Sequence, residues 1–212
     1  MNYGEKVIGH NGLGWASPDY KLIYVGIPKT ASTSMRHFMN IAKHGQSSII
    51  YMGNLPEEKR DYRTFTIVRD PLNRFVSGVF EGIKRGESPK NIRDLKSVSD
   101  IPKLITSFID IIEKDGFTEV HTAPQVAYFC DKNGKDFKFD KVLVFERLST
   151  DFAKMCEEYD INSKLEHKQK GNHSRSAKAL ELIKKDENLM NRIKNLYKED
   201  FELYNRIRNG EK

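Results

Sequence analysis

At 212 residues, 38% hydrophobic and 31% charged, the chain has the length of one domain and enough apolar side chains to bury a core. No run approaches the roughly eighteen apolar residues of a membrane span, and the opening MNYGEKVIGHNG lacks the apolar centre of a secretory leader. The expectation is therefore a cytoplasmic protein or a trimmed soluble domain. A net charge of +6 favours anionic ligands, but no nucleic-acid motif is present and aromatics are not interleaved with the basic runs, which argues against a nucleic-acid module.

YKLIYVG (20–26) is almost continuously apolar, the pattern of a buried parallel strand. A helix is expected from about Ser32 to Ala42, with Met35, Phe38, Met39 and Ala42 on one face. TFTIVRD (64–70) reads as a second buried strand. Asp70 then caps a helix and Pro71 suits its first turn. Leu72, Phe75, Val76, Val79, Phe80 and Ile83 make its apolar stripe, with Asn73, Arg74, Ser77, Glu81 and Lys84 on the other side. The polar stretch 85–100 reads as a surface loop. Helices are expected over about 101–114 and 122–130, and a third buried strand at 141–146. A helix over 149–159 follows, capped by Ser149 or Thr150. A basic loop spans 164–176, and the tail from Ala177 to Arg208 is helical, in one or two pieces. Cys130 and Cys156 have no metal-ligand spacing and read as buried thiols. Strands alternating with helices predict an α/β class, a P-loop-like parallel sheet flanked by helices, in a single domain over 1–212 with its core at about 20–208. Ligands of such sheets sit beyond the carboxyl ends of the strands, where PKTASTS and RDP both fall.

In GIPKTASTS, Gly26 and Pro28 turn the chain sharply after the strand. The backbone N–H groups of 30–34 then belong to a helix start, where unpaired donors favour an anion. Thr30, Ser32, Thr33 and Ser34 add hydroxyls and Lys29 a point charge. A phosphate or sulfate suits this set. The triphosphate loop G-x-x-x-x-G-K-[ST] does not match, since no second glycine precedes the lysine. Further along, Arg69 at a strand end and Ser77 in the next helix suit a second phosphate. Two anion sites at neighbouring strand ends fit a nucleotide phosphorylated at both ends of its ribose.

PKTASTS followed by IVRDPLNRFVSGVF resembles the two cofactor motifs of the sulfotransferases. The similarity is to the carbohydrate enzymes, including the heparan-sulfate 2-O type. HTAPQVAYFC, FDKVLVFERLSTDF, KGNHSRS and LYKEDFELYNRI resemble later segments of the same family, so the likeness spreads over most of 20–208. The resemblance implies the donor 3′-phosphoadenosine 5′-phosphosulfate (PAPS, product PAP). It implies the 5′ end on Lys29, Thr30, Ala31, Ser32, Thr33 and Ser34, and the 3′-phosphate on Arg69 and Ser77. It also implies a late lid of Lys170, Gly171, Asn172, His173 and Ser174, no metal, and a hydroxyl acceptor, on a saccharide by likeness. The trimmed-domain alternative would then be a catalytic domain.

A general base must take the acceptor's proton. The 2-O relatives carry a His-Gly-His segment between the cofactor motifs, where this chain reads YMGN (51–54) without histidine. His121, which opens H-x-x-P-Q, is the first candidate, against a structural histidine. His44 is a second candidate, although KHG more simply ends a helix; His37 is expected to be solvated or a substrate contact, and Glu81 is within range of the acceptor, with a surface salt bridge its simpler role. The catalytic pair expected is thus Lys29 and His121. A sulfotransferase-like nucleotide binder without activity, and a P-loop nucleotide kinase, stand as alternatives.

Overall fold

The computed structural model describes residues 3, 7, 10–39, 48–85, 100–130, 134–163, 165 and 173–210. The apolar run at 20–26 forms strand β2 (Leu22–Val25), with all four residues buried. β1 (Leu13–Ser17), β3 (Ser48–Tyr51), β4 (Arg63–Val68) and β5 (Lys141–Val144) complete a five-stranded sheet of order β3-β1-β2-β4-β5. β2, β4 and β5 are parallel, with Leu22 opposite Arg63 and Phe65 opposite Lys141. This is the expected parallel core. β1 and β3 extend it antiparallel, Trp15 lying opposite Tyr24 on one side and Ile49 on the other. The apolar periodicity did not disclose these two outer strands.

Seven helices lie among the described residues: α1 (Ser32–Phe38), α2 (Pro71–Arg85), α3 (Ile101–Asp115), α4 (Leu148–Glu158), α5 (His173–Lys185), α6 (Glu187–Leu196) and α7 (Lys198–Arg208). α1 and α4 cover one face of the sheet. Met35, Phe38, Phe152 and Met155 pack there on Leu22, Tyr24, Phe65 and Ile67. On the opposite face, Phe75 and Val79 of α2 join Phe108, Ile183, Ile193 and Tyr197 around Val68 and Val144. Each such side chain, once fully buried, contributes about 1.5–3 kcal/mol.

Asp70 is the cap expected for α2, its Oδ1 accepting from the Asn73 amide at 2.8 Å. Other boundaries differ from expectation. The helix expected at 122–130 is only a 3-10 helix, Gln125–Phe129. Pro124 keeps Ala123 out of the helical region, and Asp200 accepts the Gln125 and Val126 amides at 2.8 and 3.0 Å. α4 starts at Leu148 with no side-chain cap from Ser149 or Thr150, because a 3-10 helix, Phe145–Arg147, leads straight into it. The C-terminal tail forms three helices, broken where Asp186 caps α6 and at Tyr197. Cys156 is buried as expected, whereas Cys130 is half-buried. His44, most of the 85–100 loop, and Lys170, Gly171 and Asn172 lie outside the described residues.

The carboxyl ends of β2, β4 and β5 lie side by side. The chain segments leaving them at 26–31, 69–70 and 145–147 therefore meet at one edge of the sheet.

Candidate functional site

Gly26 ends β2 under the indole of Trp15, where a Cβ would stand 2.5 Å from the ring. Lys29 and Ala31 then both adopt positive φ, 69° and 71°. Left-handed residues at this spacing turn successive amides toward one concavity, an anion-binding arrangement. The strain is held by the loop's own hydroxyls. Thr30 is fully buried and donates to the Ile27 carbonyl at 2.7 Å; Ser32 donates to the same oxygen at 2.9 Å. Two hydroxyls read as ligand donors thus shape the loop. Thr33 and Ser34 line the cleft beside Ser32. The first bond of α1 runs from the Met35 amide to Ala31 at 3.1 Å, and Ala31 offers no side-chain cap. The amides of 32–34 consequently have no acceptor within the helix.

At the end of β4, Gln125 clamps Arg69 from both sides. Its Oε1 accepts the Arg69 amide and its Nε2 donates to the Arg69 carbonyl, each at 2.8 Å. Glu146 accepts the Asp70 amide at 3.0 Å and the Tyr204 hydroxyl at 3.1 Å. The Arg69 guanidinium donates to the Lys29 carbonyl at 3.1 Å and lies 4.4 Å over the Phe145 ring. Burial lowers its pKa from the ordinary arginine value, and its buried Nε has no partner among the described residues.

Arg74, which periodicity put on the polar side of α2, is fully buried. Its Nε donates to the Pro28 carbonyl at 3.0 Å and its Nη1 to the Ala123 carbonyl at 2.6 Å. It fastens the Lys29 loop to the segment carrying His121.

These elements enclose a cleft of about 1390 Å³ lined by Lys29, Ser34, Arg69, Ser77, Glu81 and His121, among others. Lys29 Nζ is 3.2 Å from Glu81 Oε2, and Arg85 Nε is 2.5 Å from Oε1. Burial works to raise the Glu81 carboxyl, but Arg85 and Lys29 outweigh it and bring the pKa down to about 2. Glu81 is thus part of the cleft rather than a surface pair. His121 is 7% exposed and Glu119 2%. His121 Nδ1 stands 2.9 and 3.1 Å from the two Glu119 oxygens, and the His121 amide donates to Oε2 at 2.8 Å.

α2 meets this segment at Gly78, where a Cβ would stand 2.2 Å from the His121 carbonyl oxygen. Gly78→Ala is expected to destabilise the fold by about 1–3 kcal/mol through overpacking, beyond the roughly 1 kcal/mol that alanine returns in helix propensity. Urea unfolding of the two proteins measures the difference, and unchanged stability would show that the segment can retreat. Of the lid residues, His173 opens α5 and Ser174 is exposed on its first turn. Ser176, Ala177 and Leu180 of that helix line the cleft. His37 is half-buried on α1 and is not among the cleft-lining residues. Sequence reasoning missed Arg74 and Glu119. A glycine inside a helical pattern at 78 was the available signal of a close approach.

The family model described as the sulfotransferase family matches residues 15–205. The chain belongs to the sulfotransferase family, whose fold is P-loop-like α/β and whose reaction is sulfuryl transfer. No curated protein and no solved structure matches it significantly. Among the described residues no helix is long and apolar enough to cross a membrane, and no group of three or more His, Cys, Asp or Glu is placed to hold a metal.

Proposed function

We propose that the chain transfers the sulfuryl group of PAPS to an acceptor hydroxyl, on a carbohydrate. The observation that carries this reading is the opening of the strained Lys29 loop and the Arg69–Ser77 pair onto one cleft. Lys29, the amides of 32–34, Thr33 and Ser34 are assigned the 5′-phosphosulfate. Arg69 and Ser77 are assigned the 3′-phosphate, and Lys170, Gly171, Asn172, His173 and Ser174 further nucleotide contacts. Thr30, Ala31 and Ser32 serve by holding the loop's shape. The buried, unpartnered Arg69 Nε supports an anionic ligand at that turn, since a desolvated donor without an acceptor is costly. The donor supplies an activated sulfuryl group, and no metal step is invoked.

In this reading the acceptor oxygen attacks sulfur in line with the departing 5′-phosphate oxygen. Lys29 and the loop amides stabilise the charge growing on that oxygen. His121 accepts the acceptor's proton. Glu81 faces the same cleft, but a carboxyl held at about 2 is a weak base near neutral pH. Its role is to orient Lys29. Lys84, Arg85 and Arg147 on the cleft wall favour a saccharide bearing acidic groups.

Calorimetry with PAP, 5′-AMP and magnesium-ATP tests the donor assignment. PAP is expected to bind most tightly. Arg69→Ala is expected to weaken PAP by about 10–100-fold, the worth of a charge-assisted hydrogen bond, and to leave 5′-AMP nearly unchanged. Equal affinity for PAP and 5′-AMP in the parent protein would refute the 3′ site. Preference for magnesium-ATP would favour the kinase alternative.

A further inference from the structure

We infer that Glu119 is the positioning residue that fixes His121 as the proton acceptor, an inference that rests on the sulfuryl transfer proposed above. His121 reaches the cleft as a nearly buried ring whose Nδ1 is taken by both oxygens of an equally buried carboxylate. Glu119 also accepts the His121 backbone N–H, so the carboxylate acts as an acceptor toward the whole residue. An imidazole that donates from Nδ1 keeps its lone pair on Nε2. Nε2 has no partner among the described residues, and it is the ring nitrogen left to serve the cleft.

The surrounding backbone is held with equal care. The Val120 carbonyl accepts from Tyr128 at 2.8 Å, the Thr122 carbonyl from Tyr197 at 2.6 Å, and the Ala123 carbonyl from Arg74 at 2.6 Å. Thr122 and Ala123 amides close back on Glu119. Gly78 lets α2 press against the His121 carbonyl. A histidine with only a packing role would not require a buried carboxylate across its ring, whereas a base benefits from a fixed tautomer and a partner for the imidazolium it becomes. In the step itself the acceptor O–S bond forms and the bridging S–O bond breaks. Its electron pair leaves on the 5′-phosphate, and the hydroxyl proton moves to His121 Nε2.

Long-range proton–nitrogen correlation spectra of the histidine-labelled full chain at neutral pH read the tautomer directly, with His121→Ala identifying the signal. The expected result is a neutral ring protonated on Nδ1. A proton on Nε2 alone, or a doubly protonated ring, overturns the inference. With an acceptor panel, Glu119→Gln is expected to lower kcat by about 100-fold or more, with PAP affinity and donor KM unchanged. In a His121→Ala background it should add nothing. Independent, multiplying losses would overturn the coupling. PAP affinity is measured separately, so a parent protein that does not bind PAP refutes the sulfotransfer reading itself. A parent protein that binds PAP but shows the wrong tautomer refutes only the role of Glu119.

Discussion

Lys29→Ala is expected to lower turnover by about 100- to 1000-fold while PAP still binds, the cost typical of removing one preorganised group from a developing oxyanion. Lys29 sits at a positive φ of 69° at the mouth of the anion loop, and its ammonium lies 3.2 Å from Glu81. Both side chains are largely shielded from water, 24% and 19% exposed, so the pair is screened less than a surface ion pair. The loop amides and the Arg69 side survive the substitution, which is why nucleotide affinity should fall far less than kcat. Glu81 reports the same change independently. Its pKa of about 2 lies below the ordinary carboxyl value of 4.5, so its interactions stabilise the fold above 4.5 and that contribution is lost as pH falls through about 2. Without Lys29 only Arg85 remains to depress it, and the carboxyl should titrate higher. Any stability advantage of the parent protein over Lys29→Ala should therefore shrink as pH falls from 4.5 toward 2. Turnover within threefold of the parent would remove Lys29 from the leaving-group role.

The second large effect is expected at Arg74. Arg74→Met should cost about 3–5 kcal/mol of stability, the range for breaking a buried charged network on one side. The guanidinium spans two carbonyls, of Pro28 and Ala123, that have been taken out of water. Burial raises the Asp200 pKa, and Arg74 and the Gln125 and Val126 amides oppose that rise. Methionine keeps the volume but leaves both carbonyls without their donor and removes the positive charge that favours ionised Asp200. Lysine is no repair, since a point-like ammonium cannot reproduce a planar fork with two donors set apart. Arg74→Lys should fall between the two. Urea denaturation measures the loss, and a change below about 1 kcal/mol in Arg74→Met would mean that the loop is held mainly by other contacts.

The central strands were legible because burial on both faces leaves an uninterrupted apolar run, as in Leu22–Val25. β3 carries only the short run Ile49–Tyr51, of which Ile50 alone is buried. Ile49 and Tyr51 are 65% and 53% exposed at the sheet edge, and no single-segment pattern separates such a strand from a loop. In β1, a Cβ at Gly14 would stand 3.1 Å from the Tyr24 carbonyl oxygen of β2, a partner that periodicity cannot see. The Lys29–Ser34 loop is expected from its composition to hold an anion, but its shape was not legible. Ser, Thr and Lys in a row announce an anion, yet which hydroxyls face inward depends on the positive φ at Lys29 and Ala31. Arg74 and Glu119 were illegible for a related reason. A charged residue is assigned to water until its partners are known, and the carbonyls held by Arg74 come from segments 46 and 49 residues away.

The Gln125 clamp carries a consequence for how the protein is made. Arg69 is fixed by a residue 56 positions later, and that residue is capped by Asp200, a further 75 positions on. Loop closure over such separations is slow, and a chain emerging from the ribosome gains these partners last. The nascent chain presents the Lys29–Ser34 loop early, but it cannot hold the RDP turn in place until α7 has been synthesised and has docked. Formation of the proposed site therefore coincides with docking of α7, and a chain cut short before α7 would keep the motif without the geometry around it.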